Sequence, residues 1–368
     1  MPALFHPDIF SVSSPHFSAV SAATDLQVRR IGAARYPNVL SQIEKIEQFG
    51  GSEVNSNNFS LQTFDGRYLL KRLPGRLDPE LLRRQLGLMV WLHDEKGINV
   101  PAVVRDSTGD ILLSDSDFHW CLFEFMGGDF FNGGSGQLSS TAYEIGRLQC
   151  ALSAHPRSLM PPSRWQYQTP DDSVIFKATI AGRKDWAEIF GSVVASELSA
   201  SWDRVLRSDA ELNEQRAQIE RMPNDASHCD LHPHNILISG TRPAAIIDFE
   251  SFTWMPTSAA LGFAVYKLIK QHAVSQMIKA NDRDRIAQAA ETFFDGLQRG
   301  VGSSGMASGV DRNEMRLMAT AEIFRRLLVV LRLNLQERNA AWNHVLPMHL
   351  AGLGEIDLIF GSYVSAPR

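Results

Sequence analysis

The sequence predicts a two-lobed α+β fold. A small N-terminal lobe has an antiparallel sheet and one helix. A larger, mainly helical C-terminal lobe carries a β-hairpin. Three observations predict this. Between residues 43 and 126, short alternating apolar runs separated by turn residues flank a single helical pattern. From Thr141 onward the apolar positions mostly recur at helical spacing. That regime is interrupted by residues 228–250, H-C-D-L-H-P-H-N-I-L-I-S-G-T-R-P-A-A-I-I-D-F-E, which hold two strand-like runs around a turn. The division expected is an arm over residues 1–40, a first lobe over 41–126 and a second over 127–368.

The bulk numbers fit this plan. The chain has 368 residues, enough for two cores. It is 44% hydrophobic and 21% charged, with a net charge of −5. An acidic balance gives no electrostatic case for a nucleic-acid partner. Cys121, Cys150 and Cys229 show no paired spacing, which suits buried thiols in a reducing compartment. No basic segment precedes an apolar run at the N-terminus, so no signal peptide is expected. Residues 327–335 are apolar but include Arg332 and Asn334 and are too short to span a bilayer. The expectation is a cytoplasmic chain with no membrane partner.

In chain order, residues 1–25 lack periodicity and read as a lightly ordered arm. Residues 25–40 suggest a short helix broken at Pro37. Residues 43–49 alternate as a first strand. The small polar stretch 50–58 follows, then alternating Phe59, Leu61 and Phe64, the Asp65-Gly66 turn and a strand over 68–73. A small-residue loop between two strands can lay backbone N–H groups over phosphates. Lys71 sits among Leu69, Leu70 and Leu73. It reads either as a phosphate-binding lysine on the third strand or as an edge-strand guard against aggregation. The motif downstream favours the first reading.

Asp78-Pro79 opens a helix as N-cap and first-turn proline, and Gly97 closes it. Residues 111–113 and 120–126 read as strands. Gly127-Gly128 and Gly133-Gly134-Ser135-Gly136 make a flexible crossing between lobes. Helical patterns then cover residues 141–155, 185–206, 210–221, 258–272, 282–299, 315–338 and 342–360, with loops at 156–170 and 300–309.

The chemistry concentrates in residues 228–250. Ile236-Leu237-Ile238 and Ala244-Ala245-Ile246-Ile247 form the two runs, joined by Ser239-Gly240-Thr241-Arg242-Pro243. A hairpin here brings Asn235, just before its first strand, beside Asp248, just after its second. One carboxylate and one amide oxygen suit Mg²⁺, which takes oxygen ligands and keeps waters and phosphates in its shell. Asp230, five residues before Asn235, can orient a hydroxyl and accept its proton. The order acid, asparagine, acid is also that of protein kinases.

H-x-D-L-H-x-x-N followed by I-D-F-E resembles the aminoglycoside phosphotransferase and choline kinase-like family of small-molecule kinases. The resemblance implies a protein kinase-like fold and a phosphotransferase that moves the γ-phosphoryl of ATP, or another nucleoside triphosphate, to a small-molecule hydroxyl. It implies Asp230 as catalytic base, Asn235 and Asp248 as magnesium ligands and Lys71 on the phosphates. E-F-M-G-G matches the family's hinge, which implies adenine contacts from the Glu124 carbonyl and the Met126 N–H. The 50–58 loop lacks G-x-G-x-x-G, as the loop of family members often does. The family pairs its strand lysine with a glutamate on the following helix. Aligning G-I-N-V-P at the helix end puts Gln85 at that position, a departure. Glu80 is the obvious substitute, yet five residues turn a helix by about 500°. Either the helix is shifted, or Gln85 holds Lys71 through a neutral hydrogen bond.

The acceptor is left open among amino alcohols, amino acids, sugars and aminoglycoside-like compounds. Glu250, Phe252 and Trp254 could line its pocket, with Trp165, Tyr167, Trp186 and Glu322 as more distant candidates, though core packing is the commoner use of any one aromatic. Two rival readings stand. One is a catalytically inactive nucleotide-binding pseudokinase, supported by Gln85. The other is a metal hydrolase built on His228, His232 and His234. Against the second, no further Cys/His cluster follows to complete a zinc site. His228 is expected to pack and hydrogen-bond beneath the loop, His232 to fix backbone or neighbour a phosphate, and His234 to be exposed.

Overall fold

The computed structural model describes residues 17–49, 57–115, 117–155, 165–167, 169–302, 311–340 and 342–361. The first lobe is built on one antiparallel sheet. Its strands are β1 (Phe17–Ala19), β2 (Ile43–Phe49), β3 (Asn58–Thr63), β4 (Arg67–Pro74), β5 (Val103–Val104), β6 (Leu113–Ser114) and β7 (Phe118–Glu124). They run β1-β2-β3-β4-β7-β5, with β6 also on β7. The Asp65-Gly66 turn joins β3 to β4 in the register Asn58↔Lys71.

Residues 17–25 correct the sequence reading of a lightly ordered arm, while residues 25–40 are helical with a break at Tyr36-Pro37, as expected. β1 pairs with β2 at the sheet edge, and the Phe17 ring meets Phe49 edge-on at 5.4 Å. The helices α1 (Ala22–Arg35) and α2 (Pro37–Leu40) follow. They place Val28, Tyr36 and Leu40 in one core with Ile46, Phe59, Leu61, Leu70, Trp120 and Leu122. Only Val28 and Gly32 of α1 are buried. An alanine-rich helix with so narrow a buried face carries almost no apolar periodicity to read.

α3 (Pro79–Asp94) covers the other face of the sheet. Its N-cap Asp78 accepts from the Glu80 N–H, and Leu82, Leu86, Met89 and Leu92 are buried at helical spacing. After β7 the chain crosses to β8 (Asp129–Phe130), which pairs with β10 (Ile236–Ser239), the first strand of the 236–247 hairpin. Gly128 makes that crossing at φ +141, where a Cβ would lie 2.8 Å from the Ile238 carbonyl oxygen.

The second lobe packs helices around α9 (Thr257–Ser275). Before it come α4 (Gln137–Ser153), α5 (Pro170–Ala181), α6 (Trp186–Phe190), α7 (Ser192–Glu214) and α8 (Arg216–Ile219). After it come α10 (Arg283–Gly302), α11 (Arg312–Glu337) and α12 (Leu346–Phe360). Instead of one helix over 185–206 and another over 210–221, the chain breaks at Gly191, φ +81, and α7 then runs unbroken to Glu214. The α4–α10 crossing is set by glycines: a Cβ on Gly300 would lie 2.1 Å from the Tyr143 carbonyl oxygen, inside any real contact. Gly300→Ala is therefore expected to cost about 1–3 kcal/mol and to lower the thermal midpoint by several degrees, read by calorimetry; an unchanged midpoint would mean the helices can part without penalty.

Two short ribbons sit between the lobes. One is β10 (Ile236–Ser239) with β11 (Arg242–Ile246), the hairpin expected from the sequence, turning at Gly240 with φ +63. The other pairs β9 (Asn224–His228) with β12 (Phe252–Pro256). Asn224–His228 is short and polar and Phe252–Pro256 ends in proline, so neither was legible as a strand. No helix among the described residues is long and apolar enough to cross a membrane.

Candidate functional site between the lobes

The site forms where β4 faces the two loops, 229–235 and 247–251, that join one ribbon to the other. Lys71 extends from β4 across the interlobe gap. Its Nζ lies 3.3 Å from Asp248 Oδ1 and also donates to Glu250 Oε2. Burial alone would pull the ammonium pKa down, but the carboxylates of Glu250 and Asp248 outweigh it and the net direction is up. Asp248 sits immediately after the hairpin, at φ +77 and ψ +71. A non-glycine residue held in that region costs backbone energy, and such positions cluster at functional sites. Ser251 Oγ donates to Asp248 Oδ2 at 2.6 Å. Burial raises the Asp248 pKa, but Lys71 and the hydrogen bonds prevail and hold it at about 2. Glu250 moves the other way: burial, aided by the nearby Asp248 charge, pushes it up to about 7 against the pull of Lys71.

Gln85 answers the question its sequence position raised. It is buried, and its Nε2 donates to the carbonyl oxygens of Glu250, at 2.9 Å, and Phe252, at 3.0 Å. It does not hold Lys71. Glu80 is exposed and pairs with Arg84. The partner of Lys71 is Glu250, which the sequence reading had offered to an acceptor pocket, and Gln85 fixes the backbone that carries it. Gln85→Leu leaves two buried carbonyls without their donor. The expected loss is about 1–3 kcal/mol of stability, measured by urea denaturation; wild-type stability in the variant would mean that the two bonds contribute nothing.

Asp230 lies on the loop after β9. His228, fully buried, clamps that loop to the end of the 236–247 hairpin. Its Nδ1 accepts from the Asp230 N–H at 3.2 Å and its Nε2–H donates to the Ile247 carbonyl at 2.9 Å. Those two bonds fix one neutral tautomer, in accord with burial lowering its pKa. Asn235 donates from Nδ2 to the Asp230 carbonyl at 2.9 Å, and the Ile247 N–H donates to the Asn235 carbonyl at 3.0 Å. The hairpin thus brings 235 and 248 to the same end.

The Asp230 side chain is ion-paired. Arg326 of α11 donates from Nη1 to Asp230 Oδ1 at 2.8 Å. Burial would raise the Asp230 pKa, but Arg326, then His232, hold it well below the carboxylate range. His232 Nε2 is 3.4 Å from Oδ2, while its Nδ1 accepts from the His234 N–H. His234 is half-buried, edge-on to Phe130 at 5.1 Å. The three imidazoles thus point at separate partners, not at one centre.

Of the remaining sequence candidates, Glu124 is exposed where β7 ends, and Met126 packs beside Phe130, Leu237 and Ala245. Residues 50–56 of the small polar loop lie outside the described residues. Tyr167 and Trp186 are core residues, the latter donating to the Thr179 carbonyl, and Phe252 is buried too. Glu322 is 0% exposed and saturated by Arg325, Arg326 and Trp165, so it does not face an acceptor. Arg326 and Gln85 were missed in their roles. A doubled arginine four residues after a glutamate in an apolar helix was the available signal for Arg326.

A cross-lobe lysine on two carboxylates, beside an acid–asparagine loop, defines a phosphotransferase-type site. The chain belongs to the phosphotransferase enzyme family, whose pattern it matches over residues 45–299. It is also 25% identical over 203 residues to a homoserine kinase of Bradyrhizobium sp. (strain ORS 278), an alignment covering 53% of this chain and 55% of that one. The chain thus spans about half the length of that curated relative. Among solved structures, the spectinomycin phosphotransferase APH(9)-Ia, in complex with ADP and spectinomycin, superposes with a TM-score of 0.65 at 14% identity, covering 92% of this chain and 98% of the other. The amicoumacin kinase hAmiN, in complex with AMP-PNP, Ca²⁺ and Ami, gives a TM-score of 0.58 at 14% identity, covering 91% of this chain and 95% of the other. The fold is the two-lobed, kinase-like α+β fold.

Proposed function

We propose that this chain transfers the γ-phosphoryl group of a nucleoside triphosphate, ATP in the first instance, to a hydroxyl of a small molecule. One observation carries the reading. Lys71, Asp248 and Glu250 meet across the lobes, and Asp230 is held charged on the adjoining loop. The oxygen donors fit a hard divalent cation: the Asp248 carboxylate and the Asn235 amide oxygen, whose nitrogen is already committed to Asp230. Bound there, Mg²⁺ supplies positive charge across the phosphate oxygens.

This chain's own residues do the rest. Lys71 neutralises phosphate charge. Asp230 orients the acceptor hydroxyl and takes its proton as the acceptor oxygen bonds to the γ-phosphorus. The bond from that phosphorus to the bridging oxygen breaks, and ADP leaves with the electron pair. The backbone at Glu124 and Met126 is the proposed adenine hinge. Asp230 is the catalytic base, and Asn235 and Asp248 are the metal ligands. Catalysis of this kind is positioning and electrostatic stabilisation.

The inactive alternative loses its support, because Glu250 supplies the carboxylate that Gln85 cannot. Homoserine kinase, spectinomycin phosphotransferase and amicoumacin kinase among the similar proteins suggest an acceptor that is a hydroxyl-bearing amino acid or amino-sugar-like compound. The test is ADP release from Mg-ATP over a panel of amino acids, amino alcohols, sugars and aminoglycosides. Acceptor-dependent ADP release is expected with at least one class. Absence of both turnover and nucleotide binding would overturn the reading.

A further inference from the structure

We propose that Arg326 is the positioning residue for Asp230: a brace from α11 that fixes which carboxylate oxygen receives the acceptor proton. The proposal rests on the phosphotransfer reading above and deepens it. Three observations carry it.

First, the guanidinium is fully committed within the protein. Nη1 donates to Asp230 Oδ1 at 2.8 Å, Nη2 to the Cys229 carbonyl at 2.9 Å and Nε to Glu322 Oε1 at 2.7 Å. Each nitrogen has a different acceptor, and two of the three lie on the Asp230 loop. An arginine reserved for substrate would keep a nitrogen face open. This one grips side chain and backbone of consecutive residues, which fixes the orientation of the loop. The Phe263 ring lies 4.0 Å beneath it and sets its plane.

Second, the charges balance only because of Arg325. Glu322 is wholly buried and would compete with Asp230 for Arg326. Arg325 meets it through two bonds, at 2.8 and 2.7 Å, and Trp165 Nε1 donates at 2.8 Å. Two arginines against two acids leave Arg326 able to satisfy Asp230 without abandoning Glu322.

Third, the brace is one-sided. Arg326 occupies Oδ1, whereas His232 Nε2 stands 3.4 Å from Oδ2. Oδ2 is the oxygen left to the acceptor hydroxyl. Both Arg326 and Glu322 lie beyond residue 299, where the family match ends, so family membership does not assign them.

The test uses the full chain and Mg-ATP, with water as acceptor and ADP release as readout. Arg326→Gln is expected to lower kcat by about 10–100-fold, the scale of a misplaced reacting group, with KM for Mg-ATP unchanged. In an Asp230→Asn background the same substitution should have little further effect, since the two act through one carboxylate. Millimolar guanidinium should partly restore Arg326→Ala, and equal urea should not. Arg326→Lys, which keeps charge but cannot reach three acceptors, should fall between. Three outcomes would overturn the proposal: a raised KM with kcat kept, a full loss that repeats in the Asp230→Asn background, or failure of all three variants to fold, which would make the arginine a core ion pair alone. A wild-type chain that releases no ADP, with water or with any acceptor of the panel above, and that Mg-ADP does not stabilise sinks the phosphotransfer reading and the proposal with it. An active wild type with unaltered Arg326 variants sinks the proposal only.

Discussion

Asp230→Asn is expected to lower kcat by about 10²–10⁴-fold, the contribution of a positioned general base, while Mg-ATP binding persists. The substitution keeps shape and one oxygen, so Arg326 retains an acceptor in place of Oδ1. The bonds that hold the loop, from the residue-230 N–H to His228 and from Asn235 to the residue-230 carbonyl, involve its main-chain atoms and survive. What disappears is the carboxylate proposed to accept the proton. Steady-state ADP release with a responding acceptor gives kcat and KM. Thermal stabilisation by Mg-ADP reports nucleotide binding separately. Equal turnover in variant and wild type would remove Asp230 from the mechanism. Loss of nucleotide binding in step with turnover would make it a structural residue.

Asp248→Asn should act on the other half of the site. Its carboxylate is held ionised at a pKa of about 2, next to Lys71, and its backbone is held at φ +77 with no glycine to ease it. Removing the charge is expected to lower kcat/KM for Mg-ATP by on the order of 10²–10³-fold, the range for one preorganised charge-stabilising group. Raising the magnesium concentration should recover part of that loss by mass action. Lys71 keeps Glu250 as a partner, so the fold should hold. A magnesium dependence identical to wild type would exclude Asp248 as a metal ligand.

The two variants separate the roles. Asp230→Asn is expected to spare nucleotide binding, whereas Asp248→Asn is expected to weaken it. That separation follows from geometry: the carboxylates sit on different loops and have different basic partners, Arg326 for one and Lys71 for the other.

Much of the architecture was legible in the sequence. Asp65-Gly66 fixed a hairpin because few other dipeptides turn so tightly. The 236–247 hairpin was legible because two apolar runs flank a glycine turn, and its closure alone brings residues 235 and 248 to one end. Asp78-Pro79 announced α3 through local capping chemistry. All of these are decided within a few residues, and a sequence displays such short-range chemistry directly.

Contacts between distant residues were not legible. Gln85 meets the Glu250 and Phe252 carbonyls over more than 160 positions, and Arg326 reaches Asp230 over 96. The ordered place of residues 17–40 on the sheet likewise depends on a core shared with Trp120 and Leu122. By itself the sequence determined the order of the chemical groups, the hairpin that gathers them and the lobe plan. Only the tertiary structure decided which charges neutralise which, because a buried ion takes whichever partner packing brings within hydrogen-bond distance, and spacing along the chain does not encode that.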